Sequence, residues 1–195
     1  MKKPESLRKH LVDSIIDLRR NPDRLLTFID AGRVRCTAAH GLSYEYSYTL
    51  NLIFTDYTGS PDAIMIALLG WLRIHQNEII ANLERGKDAI QFEADILDNH
   101  KVDFAITLPL TERVIVKPAG DNSYTVDHPP EPPLTDHLDA GHWIVRDAQG
   151  YLIAEWDSTE PTGSDIETPH PAPSGSKPNW FDSLTTGDII QGDDD

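Results

Sequence analysis

The side chains that could do chemistry fall into four groups. Cys36 precedes His40 by four residues, a spacing that could set a thiol beside an activating imidazole. A cysteine on a strand is more often a small buried hydrophobe, and that is the reading preferred for Cys36. His75 lies on an apolar helical stripe and reads as a core or interface histidine. Asp127, His128, Asp136, His137, Asp139 and His142 are the densest set of metal-ligating types. Carboxylate and imidazole suit a divalent cation, but these six straddle a proline run and share no helical or strand register, so they read as a solvated acidic segment. Glu93, Asp95 and Asp103 fall on the polar face of adjacent strands and imitate an acid–base pair, although carboxylates on a wet sheet face usually only solubilise. There is no glycine-rich phosphate loop, nucleophile elbow or helical His-Glu-x-x-His. The expectation is a protein that is not an enzyme, with no catalytic residue, cofactor or metal.

Charge is divided unevenly along the 195 residues. Residues 1–117 carry 15 Lys/Arg against 16 Asp/Glu, whereas 118–195 carry 2 against 16 and also hold 10 of the 14 prolines. A near-neutral body is thus followed by an acidic, proline-punctuated third. No basic stripe is present to bind nucleic acid through phosphates. A single cysteine excludes a disulfide framework within the chain and zinc knuckles. The basic start MKKPESLRKHLVDS lacks an apolar core of the secretory kind, and no apolar run spans a membrane. These features predict a soluble, intracellularly folded protein with no membrane partner.

The elements that must position these side chains follow from periodicity. Leu7, Leu11, Ile15 and Leu18 recur at helical spacing behind Pro4. Asn21-Pro22-Asp23 stops that helix and caps a second short one carrying Leu25, Leu26, Phe28 and Ile29. Asp30-Ala31-Gly32 reads as a turn and Arg33 to Ala39 as a short strand. From Leu42 to Thr55 apolar and polar residues alternate almost strictly, with Tyr44, Tyr46 and Tyr48 on the apolar side, which predicts a strand with one buried and one polar face. No Lys or Arg interleaves those tyrosines, so they are packing residues rather than a base-stacking platform. Ser60-Pro61 opens a long helix with Ile64, Leu68, Trp71, Leu72, His75 and Ile79 on one stripe, and Gly86 closes the segment.

Two strands follow, Ile90–Ile96 and Val102–Leu110. Both apolar sets are even-numbered, so the loop between them must have an odd length. A loop of Asp98-Asn99-His100 would oppose Asp95 and Asp103; a loop of Asn99-His100-Lys101 opposes Asp95 and Ala105 and is preferred because like charges directly opposite destabilise. Pro109 indicates a bulge or an edge. Val114–Val116 and Ser123–Val126 form a further hairpin. His128 to Pro133 is a stiff extended linker, and 142–146 with 151–156 make a hairpin that must lie on the body or on a neighbouring subunit. The fold class expected is α+β, a mainly antiparallel sheet with helices on one face, plus a C-terminal hairpin and an acidic tail. The divisions are 1–127, a linker 128–141, a hairpin 142–157 and a low-complexity tail 158–195.

At the strand–loop–helix segment the chain resembles a known family. Tyr48-Thr49-Leu50-Asn51-Leu52-Ile53-Phe54-Thr55-Asp56-Tyr57-Thr58-Gly59, then Leu69-Gly70-Trp71-Leu72-Arg73, is similar to the tail completion protein R family of temperate contractile-tailed bacteriophages. Lys3-Pro4-Glu5-Ser6-Leu7-Arg8, Leu110-Thr111-Glu112-Arg113 and the hairpin ending near Glu155-Trp156-Asp157 resemble it too, so the likeness runs in order over about residues 3–157. It implies a virion morphogenesis protein, assembled in the bacterial host cytoplasm, that finishes the head-proximal end of a tail. The element order also resembles tail terminators, which form sixfold rings. The partners implied are further copies of the chain, tail tube and sheath proteins, and head–tail connector or neck proteins, with DNA only as passing cargo. The alternatives are a non-ring neck adaptor, an assembly chaperone, or a small metal-dependent hydrolase.

Two sets of residues follow as sites. The polar strand face offers Glu45, Glu93, Asp95 and Asp103 without a basic residue, which suits a lumen that repels DNA phosphates. Trp180, Phe181, Leu184, Ile189 and Ile190 are apolar anchors in an acidic tail that suits partner docking.

Overall fold

The alternating run becomes the middle of a sheet. A computed structural model describes residues 1–36, 41–96, 101–132 and 140–159. These residues belong to one compact unit, Met1–Ser164. The first layer begins with helix α1 (Lys3–Ser14), which breaks at Ile15 and resumes as α2 (Ile16–Arg20). A single 3-10 turn, Pro22–Arg24, leads into strand β1 (Leu25–Cys36). Strand β2 (Tyr44–Tyr57) follows, then helix α3 (Pro61–His75) and the short turns α4 (Glu78–Ala81) and α5 (Leu83–Gly86). The remainder is β3 (Gln91–Ile96), β4 (Val102–Gly120), β5 (Ser123–Asp127), β6 (Gly141–Arg146) and β7 (Leu152–Ser158). The large sheet runs β1-β2-β4-β3, with β5 also on β4, and every pairing is antiparallel. The fold is α+β, as its periodicities predict.

One face of this sheet is the core. Leu50, Leu52 and Phe54 of β2 and Phe104, Ile106, Leu108 and Leu110 of β4 meet Leu7, Leu11 and Leu18 from the first helices and Ile64, Leu68, Trp71 and Leu72 from α3, all buried. Period two on the strands and period 3.6 on the helices deliver these residues to one layer, where each buried Leu, Ile or Phe contributes about 1.5–3 kcal/mol. Tyr48 shares the core, while Tyr44 and Tyr46 are half-buried at its margin with their rings edge-on at 5.0 Å. Among the described residues no helix is long and apolar enough to cross a membrane.

Four features differ from the sequence reading. Leu25, Leu26, Phe28 and Ile29 lie not on a short helix but at the start of β1, paired with Phe54, Ile53, Asn51 and Leu50. The 3-10 turn ends at Arg24, and side chains of this type favour a pleated surface once β2 supplies a partner. The turn signal Asp30-Ala31-Gly32 is a bulge inside that strand, with Ala31 at φ 50°. The helix after Ser60 stops at His75, because Gln76 leaves helical geometry and buries its amide against β4. Finally, β3 pairs with Asp95 opposite Asp103, the register set aside on grounds of like charge.

That register survives because the charges are separated by hydrogen bonding. The Asp103 carboxylate accepts the backbone N–H of Asp56 at 2.8 Å, on the β2 side. The same register stacks Phe92 on Phe104 with ring centroids 5.4 Å apart. An opposed like-charge pair costs about 0.2–1 kcal/mol, whereas an aromatic pair contributes about 0.5–1.5 kcal/mol. The rings win. Pro109 pairs with Thr49 just past Thr107, the last residue of β4 that pairs with β3, so it sits at an open edge of β4.

Candidate functional site: the open face of the sheet

The face away from the helices is the surface that the strand alternation predicts to be polar. Glu45, Ser47, Thr49 and Asn51 of β2 stand beside Asp103, Thr107 and Arg113 of β4 and Glu93 and Asp95 of β3. Asn51 crosses the strands: its amide donates to Asp30 at 2.7 Å and accepts from the Thr107 hydroxyl at 2.8 Å. Glu93 and Asp95 are exposed, and neither forms an ion pair among the described residues. The structure therefore places Glu45, Glu93, Asp95 and Asp103 on one face.

The same face is not free of cations, contrary to the sequence expectation. The bulge between Asp30 and Arg33 shifts β1 by one residue, so Arg33 and Arg35 align with Ser47 and Glu45. Arg113 of β4 also lies opposite Glu45. The Arg35 guanidinium is 3.3 Å from the Glu45 carboxylate. Without the bulge, the two arginines would have faced the helices. An unbroken alternation cannot reveal that reversal, which is why sequence reasoning missed them.

A second polar centre lies on the helical side and was also missed. The Glu112 carboxylate accepts the backbone N–H of Lys2 at 2.6 Å, that of Lys3 at 3.2 Å and the Tyr48 hydroxyl at 3.3 Å. The His128 ring nitrogen Nδ1 lies 2.7 Å from the carboxylate oxygen that accepts from Lys2. Burial works to raise this carboxyl, but the two amides, the chain's ammonium and His128 outweigh it and hold it below the usual carboxylate range. Beside it, the Lys3 ammonium donates to Gln76 at 2.8 Å and to Glu131 at 2.7 Å, and burial pushes that amine down. Asn77 donates to the carbonyl of Pro132 at 2.7 Å. The start of the proline segment is thereby tied along the body. These bonds clamp chain segments far apart in the sequence onto β4 and the end of α3.

The last hairpin is tied down as well. Ala154 of β7 is fully buried and bridges to Ile15, the residue at which α1 breaks. Arg19 reaches Glu155 at 3.1 Å, and the Trp156 indole lies over Gly70 of α3. Between α3 and this hairpin runs a mainly apolar groove that includes Ile66, Leu69, Trp143 and Ile144.

The remaining chemical candidates do not converge. Cys36 is exposed at the end of β1, not buried as expected, and His40 lies outside the described residues. His75 stacks on Trp71 with centroids 4.6 Å apart, and burial together with Lys3 pushes it down to about 4. Of the six metal-ligating types, Asp136, His137 and Asp139 lie outside the described residues, Asp127 is exposed at the end of β5, His128 is on Glu112, and His142 pairs with Asp157 at 2.8 Å. Among the described residues no three His, Cys, Asp or Glu side chains are grouped to hold a metal. Trp180, Phe181, Leu184, Ile189 and Ile190 lie outside the described residues too.

The described residues thus pair an open sheet face with a carboxylate clamp that ties the chain's first residues and the proline segment to the body. The chain belongs to the P2 phage tail completion protein R family, whose model matches residues 1–132. It is 38% identical over 157 residues to the tail completion protein R of Escherichia phage P2, covering 80% of this chain and 99% of that protein. No solved structure matches it. The family is one of structural phage tail proteins, not enzymes. The motifs on which the resemblance rested meet in space: Lys3 with Thr111 and Glu112 around Gln76 and Tyr48, and Gly70 with Trp156.

Proposed function

We propose that this protein completes the head-proximal end of a contractile phage tail, as a closed ring of copies that seats on tail tube and sheath and prepares the tail for the head connector. The observation that carries the reading is the 38% identity to a tail completion protein along 99% of that protein's length. A cap on a tail shares the tail's rotational symmetry, which makes the expected ring sixfold. Assembly takes place in the host cytoplasm, and DNA is cargo that passes and does not bind. The open face, with Glu45, Glu93, Asp95 and Asp103, serves this reading as the lumen, because a face with more carboxylates than guanidinium groups gives phosphates little to hold. The globular part is the ring-forming body, and the acidic tail beyond 158 is the partner-docking element. Particles produced without the protein test this: tails of irregular length, or tails that fail to join heads, are expected. Tails of normal length joined to heads would overturn it.

A further inference from the structure

The large sheet ends in two strands whose outer edges have no partner among the described residues, β1 and β3. Long open edges invite pairing with another chain, and proteins normally blunt them. β1 is bulged and β3 is short, yet both edges still present exposed apolar side chains. On β1, Phe28 and Val34 are 50% and 60% exposed; on β3, Phe92 and Ile96 are 61% and 83% exposed. The charges are complementary: the outer half of β1 carries Arg33 and Arg35, and β3 carries Glu93 and Asp95. All four stand on the same face of the sheet.

Resting on the ring reading above, we propose that β3 of one copy pairs antiparallel with β1 of the next, with Arg33 opposite Asp95 and Arg35 opposite Glu93, so that the sheet continues from copy to copy. Strand direction permits it. Three successive antiparallel pairings make β1 and β3 run oppositely, so a rotation that brings one copy beside another presents the two edges antiparallel. The face rule permits it too. In this single register both arginines meet both carboxylates on the open face, while Val34 meets Ala94 and Cys36 meets Phe92 on the core side. A shift by one residue would turn the arginines against the apolar side. The contact is heterologous, joining two different edges, which is the type of interface that closes rings.

The register makes a covalent test possible, because Cys36 is the chain's one cysteine and is exposed. Directly opposed residues have Cα atoms about 4.5–5.5 Å apart, within disulfide range. A Phe92→Cys variant, oxidised both as purified protein and in tails, is expected to give a ladder of covalent oligomers on a non-reducing gel. An Ile96→Cys variant would place its thiol about 13 Å from Cys36 and is expected to give none. Tails that contain the Phe92→Cys protein yet show no ladder, or equal ladders from both variants, would overturn the pairing and leave the cap reading intact. Tails that lack the protein would remove the cap reading, and the purified protein would still decide the pairing.

A charge exchange gives a second answer, in which recovery on mixing separates lost pairing from lost folding. Arg33→Glu with Arg35→Glu, and Glu93→Arg with Asp95→Arg, should each lose oligomers alone and regain them when mixed, as rings of alternating copies. Mass photometry reads the result. Oligomers from either set alone, or none from the mixture, would overturn the proposal.

Discussion

Gly70 of α3 sits under the indole of Trp156 of β7, so close that a Cβ added there would lie 3.1 Å from the ring. A glycine in a helix interior costs about 1 kcal/mol relative to alanine. Here the missing side chain is what lets the hairpin lie against α3, so local helix stability has been exchanged for tertiary contact. The residue beside it, Trp71, faces the core and donates its indole N–H to Ser6 at 3.1 Å. Adjacent positions on α3 thus serve two different layers.

Enlarging Gly70 should therefore detach the hairpin before it unfolds the body. Gly70→Leu is expected to expose β6 and β7 to limited proteolysis and to speed hydrogen exchange across 141–158, with the β2–β4 core still protected. Simultaneous loss of protection in both regions would show that the hairpin and the body unfold as one unit.

Glu112 holds the first residues of the chain to β4. Removing its charge in Glu112→Gln weakens the bonds to Lys2 and Lys3, and a hydrogen bond to a charged group is worth about 1.5–3 kcal/mol. The folded carboxyl lies below its unfolded value, so its stabilisation is present above about pH 4.5 and disappears as pH falls through the folded value. The variant should accordingly be less stable near neutrality and lose less on acidification. Denaturant melts at pH 7 and pH 3 measure both quantities; equal pH slopes in the two proteins would contradict this account.

His75 has the converse origin and the same sign. Burial and Lys3 disfavour its protonated form, lowering it from 6.5 to about 4. The unfolded chain binds a proton first as pH falls, so stability declines from about pH 6.5 and the decline from this group levels off near pH 4. His75→Phe keeps an aromatic ring on Trp71 and should flatten that part of the melting-temperature profile. An unchanged profile would assign the dependence to other groups.

If the open face lines the channel, basic residues at its centre should hold passing DNA. Ser47→Lys with Thr49→Lys lies on β2, away from both sheet edges. Tails should assemble but release DNA more slowly, most of all at low salt, where screening is weakest. Ejection at the parental rate from fully assembled particles would place this face outside the channel.

Deleting residues 178–195 removes Trp180, Phe181, Leu184, Ile189 and Ile190 together. The expected outcome is weaker tail assembly with the melting temperature of the body unchanged. Parental infectivity after that deletion would make the segment dispensable.

The sequence by itself determined which faces exist. Alternation from Tyr44 to Phe54 and the even-numbered apolar sets of β3 and β4 reflect a local rule, the two-residue period of an extended chain, and they place Glu45, Glu93, Asp95 and Asp103 together on the face away from the core. The motifs from Lys3 to Trp156 were enough to identify the family. What only the tertiary structure decided is how the elements meet. The strand identity of Leu25–Ile29 depends on β2 being beside it. The register of β3 depends on Asp56 drawing off the Asp103 carboxylate, and the facing of Arg33 and Arg35 on one bulge residue. The Glu112 clamp joins groups 110 positions apart. Periodicity carries no information about partners so distant in the chain, because it records the direction of each side chain and not what that side chain meets.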